Sequence, residues 1–121
     1  MISLSKCVGA VVCSIGLFCS AATVHAERSA ESAVITTLTV SKAIGNFVFI
    51  RVNPAPSGSS QCHTNPSWHY TLSLDDAAGK SMYAILLTAA ASKQPVSVAG
   101  SENLCAEFGG VDSLRAVGGV Y

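Results

Sequence analysis

The sequence predicts a mainly β domain with one helix, in the order β-β-β-α-β-β. Three observations carry this. β-branched and aromatic residues dominate 33–42 and 47–52, polar and apolar residues alternate strictly over 68–74, and one alanine-rich segment at 77–92 has helical spacing. A period of two suits a strand with one buried face, and a spacing of three and four residues suits a helix with a buried stripe.

In chain order, residues 27–32 are polar and are expected to fray. From Ala33 to Lys42 the run Val34, Ile35, Thr36, Thr37, Thr39 and Val40 favours a strand. Gly45-Asn46 signals a turn, and Phe47–Val52 completes a hairpin. Residues 53–67 are rich in proline and serine and read as an exposed loop around Cys62. In the third strand, Trp68–Leu74, alternation places Trp68, Tyr70, Leu72 and Leu74 on the core side. His69, Thr71 and Ser73 fall on the polar side, where they are candidate ligand contacts. Trp68 and Tyr70 also have the aromatic faces on which sugar rings or nucleobases stack, but the alternation favours core packing for both. Asp75-Asp76 supplies a short acid to cap a helix from Ala77 to Ser92, with Met82, Ile85, Leu86 and Ala89 as its buried stripe. Lys93 suits the helix end and Pro95 stops it. Val96–Val98 is a short strand, 99–110 a loop holding Cys105, and Ser113–Tyr121 a last strand with a bulge expected at Gly118-Gly119. This order matches a five-stranded, partly open oligonucleotide/oligosaccharide-binding (OB) barrel. A small α+β sandwich is the competing arrangement.

Ahead of these elements, residues 1–26 have the parts of a cleavable export signal. Lys6 gives a positive start, Val8–Phe18 an apolar run, and Val24 and Ala26 small residues before the cleavage point. The run is shorter than the ~20 residues that span a bilayer, so no membrane span is expected after cleavage. A lipid-modified precursor is disfavoured because Val11-Val12 and Leu17-Phe18 precede Cys13 and Cys19. Cleavage after Ala26 leaves one domain, 27–121, in the periplasm or secreted. Of five cysteines only Cys62 and Cys105 remain. In an oxidising compartment this pair is most simply a disulfide, the alternative being two free thiols. As a brace it stabilises a fold of this size by about 4 kcal/mol in the chain-entropy model.

Several chemistries are disfavoured. Arg28, Lys42, Arg51, Lys80, Lys93 and Arg115 are scattered among comparable numbers of acids, so nucleic acid, which needs clustered cations, is not an expected partner. Gly79-Lys80-Ser81 resembles the end of a phosphate-binding loop, but Leu74 stands where that loop needs a glycine. Cys62, His63 and His69 lack the spacing of a zinc site, and no metal or cofactor is expected. No Gly-x-Ser-x-Gly turn occurs, so no catalytic residue is assigned and the chain is not expected to be an enzyme. In Asn65-Pro66-Ser67 the middle proline rules out a glycosylation acceptor.

Ser60-Gln61-Cys62, Trp68, the helix Gly79–Ser92, the run Lys93-Gln94-Pro95-Val96 and a later Cys105 together form a pattern. In it the chain resembles the binding (B) subunits of bacterial AB-type toxins with five B subunits, in their subtilase-cytotoxin-like and pertussis-like branch. The resemblance covers about 60–100 in residue pattern. It implies an OB barrel, a homopentameric ring around the central helices, recognition of host or surface glycans, and an exported enzyme subunit as partner. The family's sugar-contacting residues do not map onto positions here. The alternative is a periplasmic structural or regulatory protein that binds another protein through exposed strand edges.

Overall fold

The computed structural model describes residues 27–120; the expected export signal, 1–26, and Tyr121 lie outside the described residues. The elements are β1 (Ser29–Val40), β2 (Phe47–Asn53), β3 (Tyr70–Ser73), α1 (Ala77–Ser92), β4 (Val96–Gly100) and β5 (Leu114–Gly119). The strands form one five-stranded sheet, ordered β3-β2-β1-β4-β5, with every neighbouring pair antiparallel. The sheet does not close into a barrel. Among the described residues its outer strands meet at one isolated parallel bridge, Thr71 to Ser113, where the Thr71 amide donates to the Asp112 carbonyl at 2.9 Å.

β1 is longer than its side chains advertise. Its polar start is not frayed, because main-chain bonds hold it: Ser29 and Ala30 pair with Ala99 and Val98, and Ser29 exchanges amide bonds with Ser57 at 2.8 and 2.9 Å. Register shifts between Ala30 and Ala33 and between Ile35 and Thr37 let this strand serve β4 with its first part and β2 with the remainder. The bulge expected at Gly118-Gly119 is absent from that position. Both glycines pair regularly with Ser97 and Val96, and the irregularity in this ladder lies between Ala99 and Gly100.

β2 is buried on both faces. Val48, Ile50 and Val52 join the main core with Ala33, Tyr70, Leu72, Leu86, Val96 and Val98. Phe47 and Phe49 point the other way into a smaller cluster with Val111 and the half-buried Trp68. Phe49 lies 5.2 Å from the Trp68 ring and 5.1 Å from that of Phe108, within the range of favourable aromatic pairs. Trp68 therefore does not share the core with Tyr70, as alternation suggested. The strand begins only at Tyr70, and the Asn65 side chain turns the preceding chain by accepting from the Ser67 and Trp68 amides.

α1 packs on β1, β3 and β5. Asp76 caps it, accepting from the Gly79 amide at 2.6 Å, and Lys93 ends it in a left-handed conformation (φ 57°) with its amide on the Ala89 and Ala90 carbonyls. The buried stripe runs through Gly79, Leu86 and Ala89, with Met82 and Tyr83 partly covered. Ile85, expected in that stripe, is 41% exposed. The helix is rotated because Gly79 sits directly on β3, where a Cβ would press into the Ser73 carbonyl oxygen.

Alanine normally gains about 1 kcal/mol over glycine inside a helix. Gly79→Ala should nevertheless destabilise the fold by about 1–3 kcal/mol in a denaturant titration, the usual cost of overpacking; a stabilised variant would refute the contact. The Cys62→Ala variant, and separately the Cys105→Ala variant, should lose about 2–5 kcal/mol under oxidising conditions, and unchanged melting temperatures would contradict this.

Candidate functional site

The open side of the sheet lies between β3 and the start of β5. Two loops meet there. Cys62 and Cys105 form a disulfide with Cα atoms 6.0 Å apart. The Thr64 and Asn65 amides both donate to the Gly110 carbonyl at 2.9 Å, and the Cys62 amide donates to Asn103 Oδ1 at 3.0 Å. The bridge thus ties the loop before β3 to the loop before β5.

Beneath it lies a buried polar cluster. Arg28 and Asp112 are almost wholly enclosed, and Arg28 Nη1 lies 3.9 Å from Asp112 Oδ2. That guanidinium donates to the His69 carbonyl at 2.8 Å and sits 5.5 Å from the centre of the Tyr70 ring. The fully buried Tyr70 hydroxyl donates to the Arg28 carbonyl at 2.8 Å. Gly100 closes the wall, since a Cβ there would collide with Asp112 Oδ2. Burial raises the Asp112 carboxyl to about 6 against the opposing pull of Arg28. Burial likewise pushes the Tyr70 phenol far above its ordinary range.

His63 and His69 each serve the main chain. His63 Nδ1 accepts from the Asp112 amide and His69 Nδ1 from the Val52 amide, both at 3.0 Å. An amide can bond only an unprotonated nitrogen, so both rings are neutral with their proton on Nε2. Burial first, and Arg28 next, lower both values; Arg51 and His63 lower His69 further, while a main-chain bond to Asn65 works against the shift at His63.

The three residues placed by alternation on one polar face meet different surroundings. His69 is half-buried in its bond to Val52. Thr71 is fully buried, its hydroxyl bonded to Glu107 Oε1 at 3.1 Å, so it is not open to a partner. The reason is the parallel bridge to Ser113, which covers the side of β3 that a free edge would expose. Ser73 alone lines a concave surface, a groove of about 190 Å³ shared with Leu72, Asp76, Met82, Leu104 and Glu107. A second, more apolar groove of about 310 Å³ lies between α1 and the ends of β4 and β5, beside Ile85, Thr88, Pro95 and Val120.

Cys62, Cys105 and Asp112 bring ligand-type atoms within 4.8 Å of one another, but the sulfurs are bonded to each other and Arg28 already supplies the cation. Sequence reasoning missed Arg28, His63 and Asp112 as partners. They are joined only through pairings that span most of the chain. Among the described residues no helix is long and apolar enough to cross a membrane. Comparisons with protein-family models, curated proteins and solved structures find no match to this chain.

The cluster sets a pH dependence with opposing parts. The folded histidines bind protons less readily than the unfolded ones, so their contribution is complete above about pH 6.5 and is lost as pH falls below it. Asp112 acts oppositely: the folded state holds its proton up to about pH 6, so stability declines as pH rises from about 3.8 to 6. Removing this opposition in Asp112→Asn should make stability fall more steeply than wild type on acidification from pH 7 to 5. Each additional proton bound by the unfolded state adds about 1.4 kcal/mol per pH unit. Denaturant titrations across that range test it, and parallel curves for the two proteins would contradict it.

Proposed function

We propose that this chain is an exported, non-catalytic binding module of the OB type that recognises a glycan and assembles as a ring. The strand order, the helix between β3 and β4, and the parallel contact of β3 with the start of β5 support the OB reading. The disulfide is compatible with the periplasm or the extracellular medium.

The observation that carries the ligand assignment is the groove at the open side. Its lining combines apolar Leu72, Met82 and Leu104 with the Ser73 hydroxyl and the Asp76 and Glu107 carboxylates. Sugars have apolar C–H faces and rings of hydroxyl donors, so they suit an apolar lining with carboxylate acceptors. Asp76 is engaged as the helix cap, whereas Glu107 takes only the Thr71 hydroxyl on Oε1 and carries a second acceptor oxygen. Glu107 is the principal glycan contact, with Ser73 beside it.

For the ring, α1 presents Ile85, 41% exposed, beside the apolar groove. A second copy covers that face. An exported enzyme subunit is the partner such a ring would carry.

One observation favours the alternative reading, a protein that binds another protein. Apart from the Thr71–Ser113 contact, the edges of β3 and β5 are not paired with each other, and such edges accept a partner strand. A glycan array with the purified protein separates the two. Binding that falls at least about tenfold in Glu107→Gln, the scale of a charge-assisted hydrogen bond, supports the groove. A blank array, a clean monomer in light scattering and one stoichiometric protein partner would favour the alternative.

A further inference from the structure

Asp112 stands apart from every other acid in the described chain. It is 1% exposed, and neither of its carboxyl oxygens has a hydrogen-bond partner. Its only counter-charge, Arg28, stays 3.9 Å away and spends its nearest nitrogen on the His69 carbonyl. Buried carboxyl groups are ordinarily satisfied by donors, and a lone one calls for an explanation. One of its oxygens lies within 4.8 Å of both sulfurs of the Cys62–Cys105 bridge. A disulfide has no proton to offer, but a thiol has. Reduction would therefore create the donor that this carboxyl lacks.

The bridge is also placed to exchange. Both cysteines are only half-buried. Ser60 Oγ lies 3.5 Å from Cys62 Sγ, where its hydroxyl can donate to a thiolate. We propose that Cys62–Cys105 is a reversible thiol–disulfide couple that exchanges with a dithiol reductant, with Asp112 as its internal proton carrier. This goes beyond the ligand reading and does not depend on it.

The reductant's first thiol loses its proton to solvent, and the thiolate attacks Cys105 Sγ. The S–S bond breaks, and its electron pair leaves on Cys62 Sγ, where Ser60 donates a hydrogen bond and the Asp112 carboxyl gives up its proton. The reductant's second thiol then loses its proton to solvent, while the buried Asp112 carboxylate stays facing Arg28 and the new Cys62 thiol. That thiolate attacks the reductant sulfur of the mixed disulfide, and Cys105 departs as a thiolate that takes a proton from solvent. The dithiol is oxidised by two electrons to a disulfide, the bridge is reduced to two thiols, and Asp112 ends as a carboxylate that regains its proton when the bridge re-forms. A carboxyl raised to about 6 can both give and accept a proton near neutral pH. The charged and titratable groups around it are Arg28, Glu27 and Tyr70, with His63 on the Asp112 main chain.

The test uses dithiothreitol as the reductant. In the wild-type protein, NMR titration of the Asp112 carboxyl should give a value at least about one pH unit, or tenfold, lower in the reduced than in the oxidised form, because thiol donors favour the carboxylate. Equal values in the two forms would overturn the proposal. The rate of reduction should rise with dithiothreitol concentration under native conditions; a rate fixed at that of global unfolding would overturn it equally. Asp112→Asn, checked as folded by its oxidised melting curve, should be reduced at least about tenfold more slowly at pH 6 and the same reductant thiolate concentration. An unchanged rate would refute the proton-carrier role. If that variant does not fold, the wild-type titration decides.

Discussion

The tie between the loop before β3 and the loop before β5 is the constraint on which the rest of the molecule depends. A sheet ordered β3-β2-β1-β4-β5 leaves its outer strands far apart in the ladder, with one parallel bridge to join them. One bridge offers few main-chain bonds against the entropy of two long loops. The covalent link at Cys62–Cys105 and the paired amides on Gly110 supply the missing closure. Once the loops are held, Val111 and Phe108 cover Phe47 and Phe49, and the second hydrophobic cluster exists.

The same closure traps charge. Bringing 111–113 onto β3 puts Asp112 among Tyr70, Gly100 and Arg28, away from water. An ion pair there gains Coulomb energy but loses hydration on both sides, so it is weak support for stability. Its consequence is selectivity of arrangement. Arg28 can reach the His69 carbonyl and the Asp112 side chain only if β1 starts at Ser29 and pairs with β4. The polar start of β1 is therefore ordered from the far end of the chain.

That explains which parts were legible in the sequence. α1 has the expected limits and the expected Asp76 cap, because capping and the proline stop are local chemistry. β2 is also as read, from a continuous apolar run. The start of β1 was unreadable because main-chain ladders leave no mark on residues 29–31. Alternation mispaired Trp68 with Tyr70, since the Asn65 turn interrupts the strand between them. Helical spacing assigned Ile85 to the core, whereas the closeness of Gly79 to β3 turns the helix. Arg28, His63 and Asp112 carried no local signal at all. Their roles come from pairings far apart in the chain: His63 and Asp112 lie 49 positions apart, and Arg28 and Asp112 further still. The disulfide was readable by counting, but the buried carboxyl beside it was not.

The groove and the bridge are mechanically one device. Glu107 stands two positions after Cys105, and Leu104 stands one before it, so the bridge anchors both groove residues. Thr71, held by the bridge to Ser113, fixes Glu107 through its hydroxyl. Opening the disulfide would not remove any of these side chains. It would return the loop before β5 to its own entropy, and the carboxylate would lose its fixed distance from Ser73. A ligand that needs both would then have to order that loop itself, at a cost in affinity. On the proposed reading, a proton carrier beside the bridge would bear on binding as well as on stability, because loop tie and groove share the open side of the sheet.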